Sequence, residues 1–207
     1  MDDTIIDLEF LKDFKDITLP DPSEVEYWKL AKHRTFFIDY EIEEDYCLIE
    51  LTKTIIRMNI EESKMPEKDL KPIFLYIMSF GGDLDQANFM CDLIESSRIP
   101  IVTIATGAAM SAGFLIFLAG KRRYVFQHTQ LLVHEGSASF SGTAEQVMQA
   151  QENYQRQLEQ MRDYIISHTD IDTETFDKNK SKDWYLSVDE IKKYNLAKIV
   201  KNFKDIK

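Results

Sequence analysis

IFLYIMSFGGDLDQA, residues 73–87, decides how the rest of the chain is read. The apolar run Ile73 to Met78 is unbroken, the pattern of a strand buried on both faces of a parallel sheet. It stops at Phe80-Gly81-Gly82-Asp83, where glycines permit positive φ and let backbone N–H groups face a ligand. Leu84, Ala87, Cys91 and Ile94 then fall on one face of a helix. Pro100 introduces a second buried strand, Ile101 to Ile104. Strand, glycine turn, helix and strand in this rhythm predict an α/β domain with a mostly parallel sheet.

The pattern continues in both directions. Upstream, Thr35 to Ile38 is a short apolar run, followed by a helical pattern through Tyr46, Ile49, Leu51, Ile55, Ile56 and Met58 and a charged loop from Ser63 to Lys71. Downstream, Gly107 to Gly113 reads as a small-residue turn into the apolar stretch Phe114 to Leu118, closed by Gly120. Tyr124 to Phe126 and Leu131 to Val133 are further short strands. Thr143 and Gln146 form a capping box that opens a long helix with apolar positions Val147, Tyr154, Leu158, Met161 and Ile165. Ser187 and Glu190 cap a last helix, which leads to an apolar stretch near Ile199 and Val200. Residues 1–30 are acidic and interrupted by Leu19-Pro20-Asp21-Pro22, so an N-terminal arm is expected there, with one domain over 31–207.

Composition narrows the function. The 207 residues are enough for one sizeable core and too few for two ordinary domains. Lys and Arg number 25 against 36 Asp and Glu, a formal net charge of −11 with no basic cluster, which argues against nucleic acid as a partner. Cys47 and Cys91 fall in apolar helical patterns and read as buried free thiols. His33, His128, His134 and His168 are scattered, so neither a metal nor a cofactor is expected. MDDTIIDLEF lacks the basic start of a signal peptide, and Phe114 to Gly120 is too short to span a bilayer. A cytoplasmic protein with no membrane contact is expected.

Three places offer chemistry. The Gly81-Gly82 turn is either an ordinary tight turn or a donor of backbone N–H groups. Ser111, among small residues before an apolar helix, is either a helix cap or a nucleophile beside oxyanion-stabilising N–H groups. The segment is not a G-x-S-x-G elbow, because position 109 is alanine. His134, after Leu131-Leu132-Val133, stands at a strand end, where open α/β sheets carry functional groups; a satisfied rim histidine is the alternative.

Together these segments resemble the proteolytic subunit of the Clp (caseinolytic) protease family, from about Arg34 to Val200. FLYIMSFGGDLDQA resembles the family's strand and glycine-rich loop, ATGAAMSAGFLIFLAG its nucleophile segment, LLVHEG its histidine segment, and KDWYLSVDEIKKYNLAKIV the stretch that starts at its aspartate. The resemblance implies the Clp-protease/crotonase-like fold, with stacked sheets and helices and a protruding handle helix from Thr143. It implies a serine endopeptidase with Ser111 as nucleophile, His134 as base and Asp183 orienting the base, Asp177 being the competing carboxylate. Gly82 and Ala112 would supply the oxyanion hole, and Gly136 to Gly142 a strand lining the substrate groove. Implied partners are unfolded polypeptide substrates, a homo-oligomeric ring (heptamer or double heptamer) and an AAA+ unfoldase.

The match departs in places. Phe80 stands where the family has proline, Asp83 where it has a small residue, and Glu135-Gly136 where it has Gln-Pro. An acid at 83 would oppose negative charge in the oxyanion hole, and an acid at 135 would perturb or misalign His134. A catalytically silent Clp-like subunit is therefore the alternative. A crotonase-type acyl-CoA enzyme has no role for Ser111 or His134, and a membrane signal-peptide peptidase lacks its membrane segment.

Overall fold

In a computed structural model the protein is described over residues 20–43 and 46–206, without the side chains of residues 46 and 47. The chain divides after His33. In the first part, helix α1 covers Pro22–Lys32. Pro22, read with Pro20 as a breaker, instead starts this helix: it fits the first turn, where its missing N–H costs nothing, and Asp21 and Glu24 close a capping box. The D-x-x-E spacing around Pro22 was the available signal. The rest of the expected arm, residues 1–19, lies outside the described residues.

From Arg34 onward the order is β1 (Thr35–Ile38), α2 (Tyr46–Glu61), β2 (Ile73–Ser79), α3 (Leu84–Ser96), β3 (Ile101–Met110), α4 (Ala112–Leu118), β4 (Arg122–Phe126), β5 (Gln130–Val133), α5 (Ala144–His168), α6 (Thr173–Asn179), β6 (Trp184–Leu186), α7 (Val188–Lys193) and β7 (Lys198–Val200). The main sheet runs β1-β2-β3-β4-β7 and is parallel throughout. β5 branches from it, parallel to β3, and carries β6 antiparallel. The fold is therefore the expected α/β architecture with a mostly parallel sheet.

β3 is the hinge of this arrangement, and it differs from the sequence reading. It does not stop at Ile104 but runs ten residues to Met110. Residues Val102 to Ala105 pair with β4, while Ala108 to Met110 pair with β5. Alanine and glycine in this stretch let two sheets diverge from one strand without side-chain conflict. Only Ser111 is left as the turn.

β2 also departs from expectation. Ile73, Leu75 and Ile77 are wholly buried, but Phe74 and Tyr76 are half-buried and Met78 is half-exposed. One face meets the helices; the other is an apolar sheet face only partly covered in the single chain, with Phe37 stacked on Tyr76 at 5.1 Å. Hydrophobicity at alternate positions cannot say which apolar face a sheet leaves open. α5 is the expected long helix, with its Thr143–Gln146 capping box, yet only Met161 and Ile165 are buried along it. Its N-terminal half stands clear as a handle. Trp184 to Leu186, within the segment that starts at Lys182, form β6 ahead of the last helix. Cys91 is buried as expected; the side chain of Cys47 lies outside the described residues.

Candidate active site

Ser111 sits where buried β3 turns into buried α4. Its backbone takes φ 53° and ψ −123°, a conformation that a non-glycine residue holds only when its surroundings enforce it, at a cost of roughly 1–3 kcal/mol. The enforcement is visible on both sides: the Ser111 N–H donates to the Leu132 carbonyl at 3.0 Å, and the Ser111 carbonyl accepts from the Phe114 N–H at 3.0 Å. All seven residues of α4 are buried, so the turn cannot relax outward. Although Ser111 occupies the N-cap position, its side chain caps nothing. Its hydroxyl lies 2.9 Å from His134 Nε2.

His134 follows β5, and the antiparallel β5–β6 register explains its partner. Val133 pairs with Trp184, so continuing by one residue sets His134 opposite Asp183. His134 Nδ1 lies 3.0 Å from Asp183 Oδ1. A carboxylate can only accept, so Nδ1 carries the proton and Nε2 is left to accept from the Ser111 hydroxyl. Asp177, the competing carboxylate, instead faces Lys180 Nζ at 3.5 Å.

The Gly81-Gly82 turn lies against the serine. Both glycines have positive φ, +117° and +140°, and each has a neighbour where a Cβ would stand. At Gly81 that atom would lie 2.7 Å from Ser111 Cβ; at Gly82 it would lie 2.1 Å from the Ile42 carbonyl oxygen. Ile42 donates to the Gly81 carbonyl at 2.7 Å and accepts from the Asp83 N–H at 2.6 Å, which turns the Gly82 N–H away from this bridge. Among the described residues no group accepts from the N–H of Gly82 or Ala112, and both residues line the same cleft as Ser111 and His134. Buried Ser79, which sequence reasoning passed over, steadies the loop by accepting the Gly81 N–H at 3.2 Å.

The cleft has a volume of about 450 Å³. Its far wall comes from α3 and α5, through Leu84, Asp85, Tyr154, Gln157 and Met161, none of which the sequence reading had assigned to the site. Only tertiary packing brings these helices to the serine. Gln157 donates to Asp85 Oδ1 at 2.5 Å, tying α5 to α3. Gly136 to Gly142, expected as a groove-lining strand, form no strand here, because their backbone finds no partner strand. Phe140 packs edge-on against Tyr154 at 5.9 Å.

Both suspect acids have other work. The Asp83 carboxylate caps α3, accepting from the Gln86 N–H at 2.8 Å. Glu135 Oε1 lies 3.4 Å from Lys180 Nζ, and this contact raises the lysine's pKa. Among the described residues no three His, Cys, Asp or Glu side chains gather as metal ligands, and no helix is long and apolar enough to cross a membrane.

The sequence matches the family described as Clp protease over residues 23–203. It is 32% identical over 164 residues to the ATP-dependent Clp protease proteolytic subunit 2 of Treponema denticola, covering 76% of this chain and 79% of that protein. It is 27% identical over 177 residues to the ATP-dependent Clp protease proteolytic subunit of Deinococcus radiodurans, covering 82% and 81%. Among solved structures, a mutant form of ClpP1 from Listeria monocytogenes superposes with a TM-score of 0.73 at 24% identity, covering 88% of this chain and 99% of that one.

Proposed function

The chain belongs to the Clp protease family of peptidases, and from that premise we propose that it is a serine endopeptidase using Ser111, His134 and Asp183. The observation that carries the reading is the hydrogen-bonded series Ser111–His134–Asp183, which opens on a cleft beside two uncommitted N–H groups. His134 Nε2 takes the hydroxyl proton as Ser111 Oγ attacks the scissile carbonyl carbon. The carbonyl oxygen becomes an oxyanion held by the N–H groups of Gly82 and Ala112, donors of a kind whose removal typically costs on the order of 10²–10³ in rate. As the tetrahedral intermediate collapses, the C–N bond breaks and the imidazolium gives its proton to the leaving amine. Water then repeats the sequence on the acyl-enzyme and regenerates Ser111. Asp183 holds the tautomer and stabilises the imidazolium.

The backbone of Gly136 to Gly142, which pairs with no strand, supports a substrate held as an added strand, through main-chain bonds that tolerate many sequences. The partly open apolar sheet face, with Phe37 at 42%, Met78 at 50% and Phe80 at 72% exposure, supports burial against further copies in a heptameric or double-heptameric ring. Polypeptides delivered by an AAA+ unfoldase complete the reading, in line with the ATP-dependent relatives.

Fluorophosphonate labelling of the purified protein, with native mass measured in parallel, tests it. Wild type is expected to label, while Ser111→Ala and His134→Ala are not. A folded, assembled wild type that fails to label would replace this reading with the catalytically silent subunit.

A further inference from the structure

Glu135, the residue immediately after the base, is held at three points. Its N–H donates to the Lys180 carbonyl at 3.2 Å. Its carbonyl accepts from the Tyr154 hydroxyl at 2.8 Å. Its carboxylate faces the Lys180 ammonium at 3.4 Å. The two anchors come from different elements: Lys180 ends α6 three residues before Asp183, and Tyr154 lies on α5. Lys180 is itself fixed, its N–H donating to the Phe176 carbonyl at 2.9 Å and its ammonium also facing Asp177 at 3.5 Å.

The His134–Asp183 contact needs outside support. Asp183 is 61% exposed and His134 30%, so their attraction is screened by water and is too weak to fix the imidazole alone. β5 and β6 end just before the pair meets, so the ladder does not continue past it. Glu135 closes that gap, because its contacts join the chain leaving His134 to the chain entering Asp183. Gly136, next along, has φ +76° and lines the cleft.

We propose that Glu135, Lys180 and Tyr154 form a clamp that positions the His134 imidazole between Ser111 and Asp183. The inference rests on the serine-peptidase reading for its kinetic effect, but not for its structural one. None of the three touches the reacting atoms; they are positioning residues, and through Tyr154 the handle helix acts on the base.

The test uses the full-length protein and a fluorophosphonate probe, with the maximal acylation rate (kinact) and the probe's half-saturating concentration (KI) measured separately. The Nδ1–H proton resonance of His134 is followed in the same samples. Glu135→Gln and Lys180→Met each lower kinact about two- to fivefold with KI unchanged, the scale of a half-exposed ion pair. Tyr154→Phe lowers it about two- to tenfold, the scale of one hydrogen bond. The reversed pair, Glu135→Lys with Lys180→Glu, made together with Asp177→Asn so that no like charge faces position 180, recovers at least half of the loss. The resonance broadens in each single variant and sharpens again in the reversed pair. Unchanged rates and resonance, a rise in KI alone, or a reversed pair no better than its singles would overturn the clamp. If wild type does not label while Ser111→Ala is equally silent, the peptidase reading fails instead, and the resonance alone decides the clamp.

Discussion

The two sides of the cleft are built by different means. On the Ser111 side the parts are backbone and burial: a strained turn between β3 and the wholly buried α4, two glycines at positive φ, and the Ile42 bridge beneath them. On the His134 side the parts are side chains half in water: Asp183 at 61% exposure, and Glu135 and Lys180 at 29% and 35%. Buried backbone has no alternative arrangement of similar energy, whereas exposed side chains have several. Substitution on the first side should therefore abolish geometry, and on the second only loosen it.

Gly82→Ala should have the largest effect. The new Cβ would stand 2.1 Å from a carbonyl oxygen, so the turn must open and carry one of the two proposed oxyanion donors away. Acylation should fall on the order of 10²–10³-fold, with roughly 3 kcal/mol of stability lost through strain and displacement, read as Tm by scanning calorimetry. A variant that labels at the wild-type rate would show that the turn is not rigid.

Asp183→Asn comes next. Asparagine can donate to Nδ1 and favour the wrong tautomer, a change that costs about 10⁴-fold where such an aspartate is buried. Here water competes for both groups, and a loss on the order of 10- to 100-fold in labelling rate is expected. A loss near 10⁴ would erase the contrast, meaning that assembly into a ring buries the base side as well.

How far the sequence revealed these parts follows the same division. The place of Ser111 before a buried helix and of His134 at a strand end was legible because apolar runs and small-residue turns leave a strong pattern in a single stretch, although the strand that reaches Ser111 was read as ending at Ile104 and runs to Met110. The choice between Asp177 and Asp183 was open in the residues alone, since α6 and β6 together decide which carboxylate turns back, and neither had been anticipated. The β5–β6 register, a relation between distant segments, sets Asp183 rather than Asp177 on the imidazole. Asp83 and Glu135 looked troublesome because a linear reading sees neighbours along the chain but not the Gln86 N–H or the Lys180 ammonium that each carboxylate meets. The helix at Pro22–Lys32 was missed for a local reason: proline was read as a breaker where it is a starter.

The buried side also makes a pH prediction. Burial, the largest cause, pushes the Cys91 thiol up to about 12. Tyr164, which donates to Glu95 Oε1 at 2.6 Å, is pushed up as well, again mainly by burial. Both groups are neutral when protonated and keep that proton longer when folded, so their stability contribution is complete below the unfolded thiol value near pH 9. Above it the unfolded chain ionises first. Stability should fall by about 1.4 kcal/mol per pH unit for the thiol from roughly pH 9 toward 12, with tyrosine adding to the loss above about pH 10. Urea unfolding at pH 8, 9 and 10 reads this. A native thiol that reacts quickly with iodoacetamide at pH 8 would refute its burial.

Asp83→Ala should have the smallest effect, and it tests where the contrast ends. Asp83 lies on the backbone-built side, one residue from the proposed oxyanion donor, yet its side chain is exposed and serves only as the N-cap of α3. Removing an N-cap costs roughly 1 kcal/mol, or about 2–4 °C in Tm for a chain of this size. Its carboxylate is directed at the Gln86 N–H, where the helix terminus partly offsets the negative charge. Little repulsion remains to be relieved at the oxyanion, and the acylation rate should stay within about twofold of wild type, a residual consistent with screening across open solvent. A rate increase of tenfold or more would show that the carboxylate does oppose the developing charge, and Asp83→Asn separates the two effects, because it keeps the cap and removes the charge.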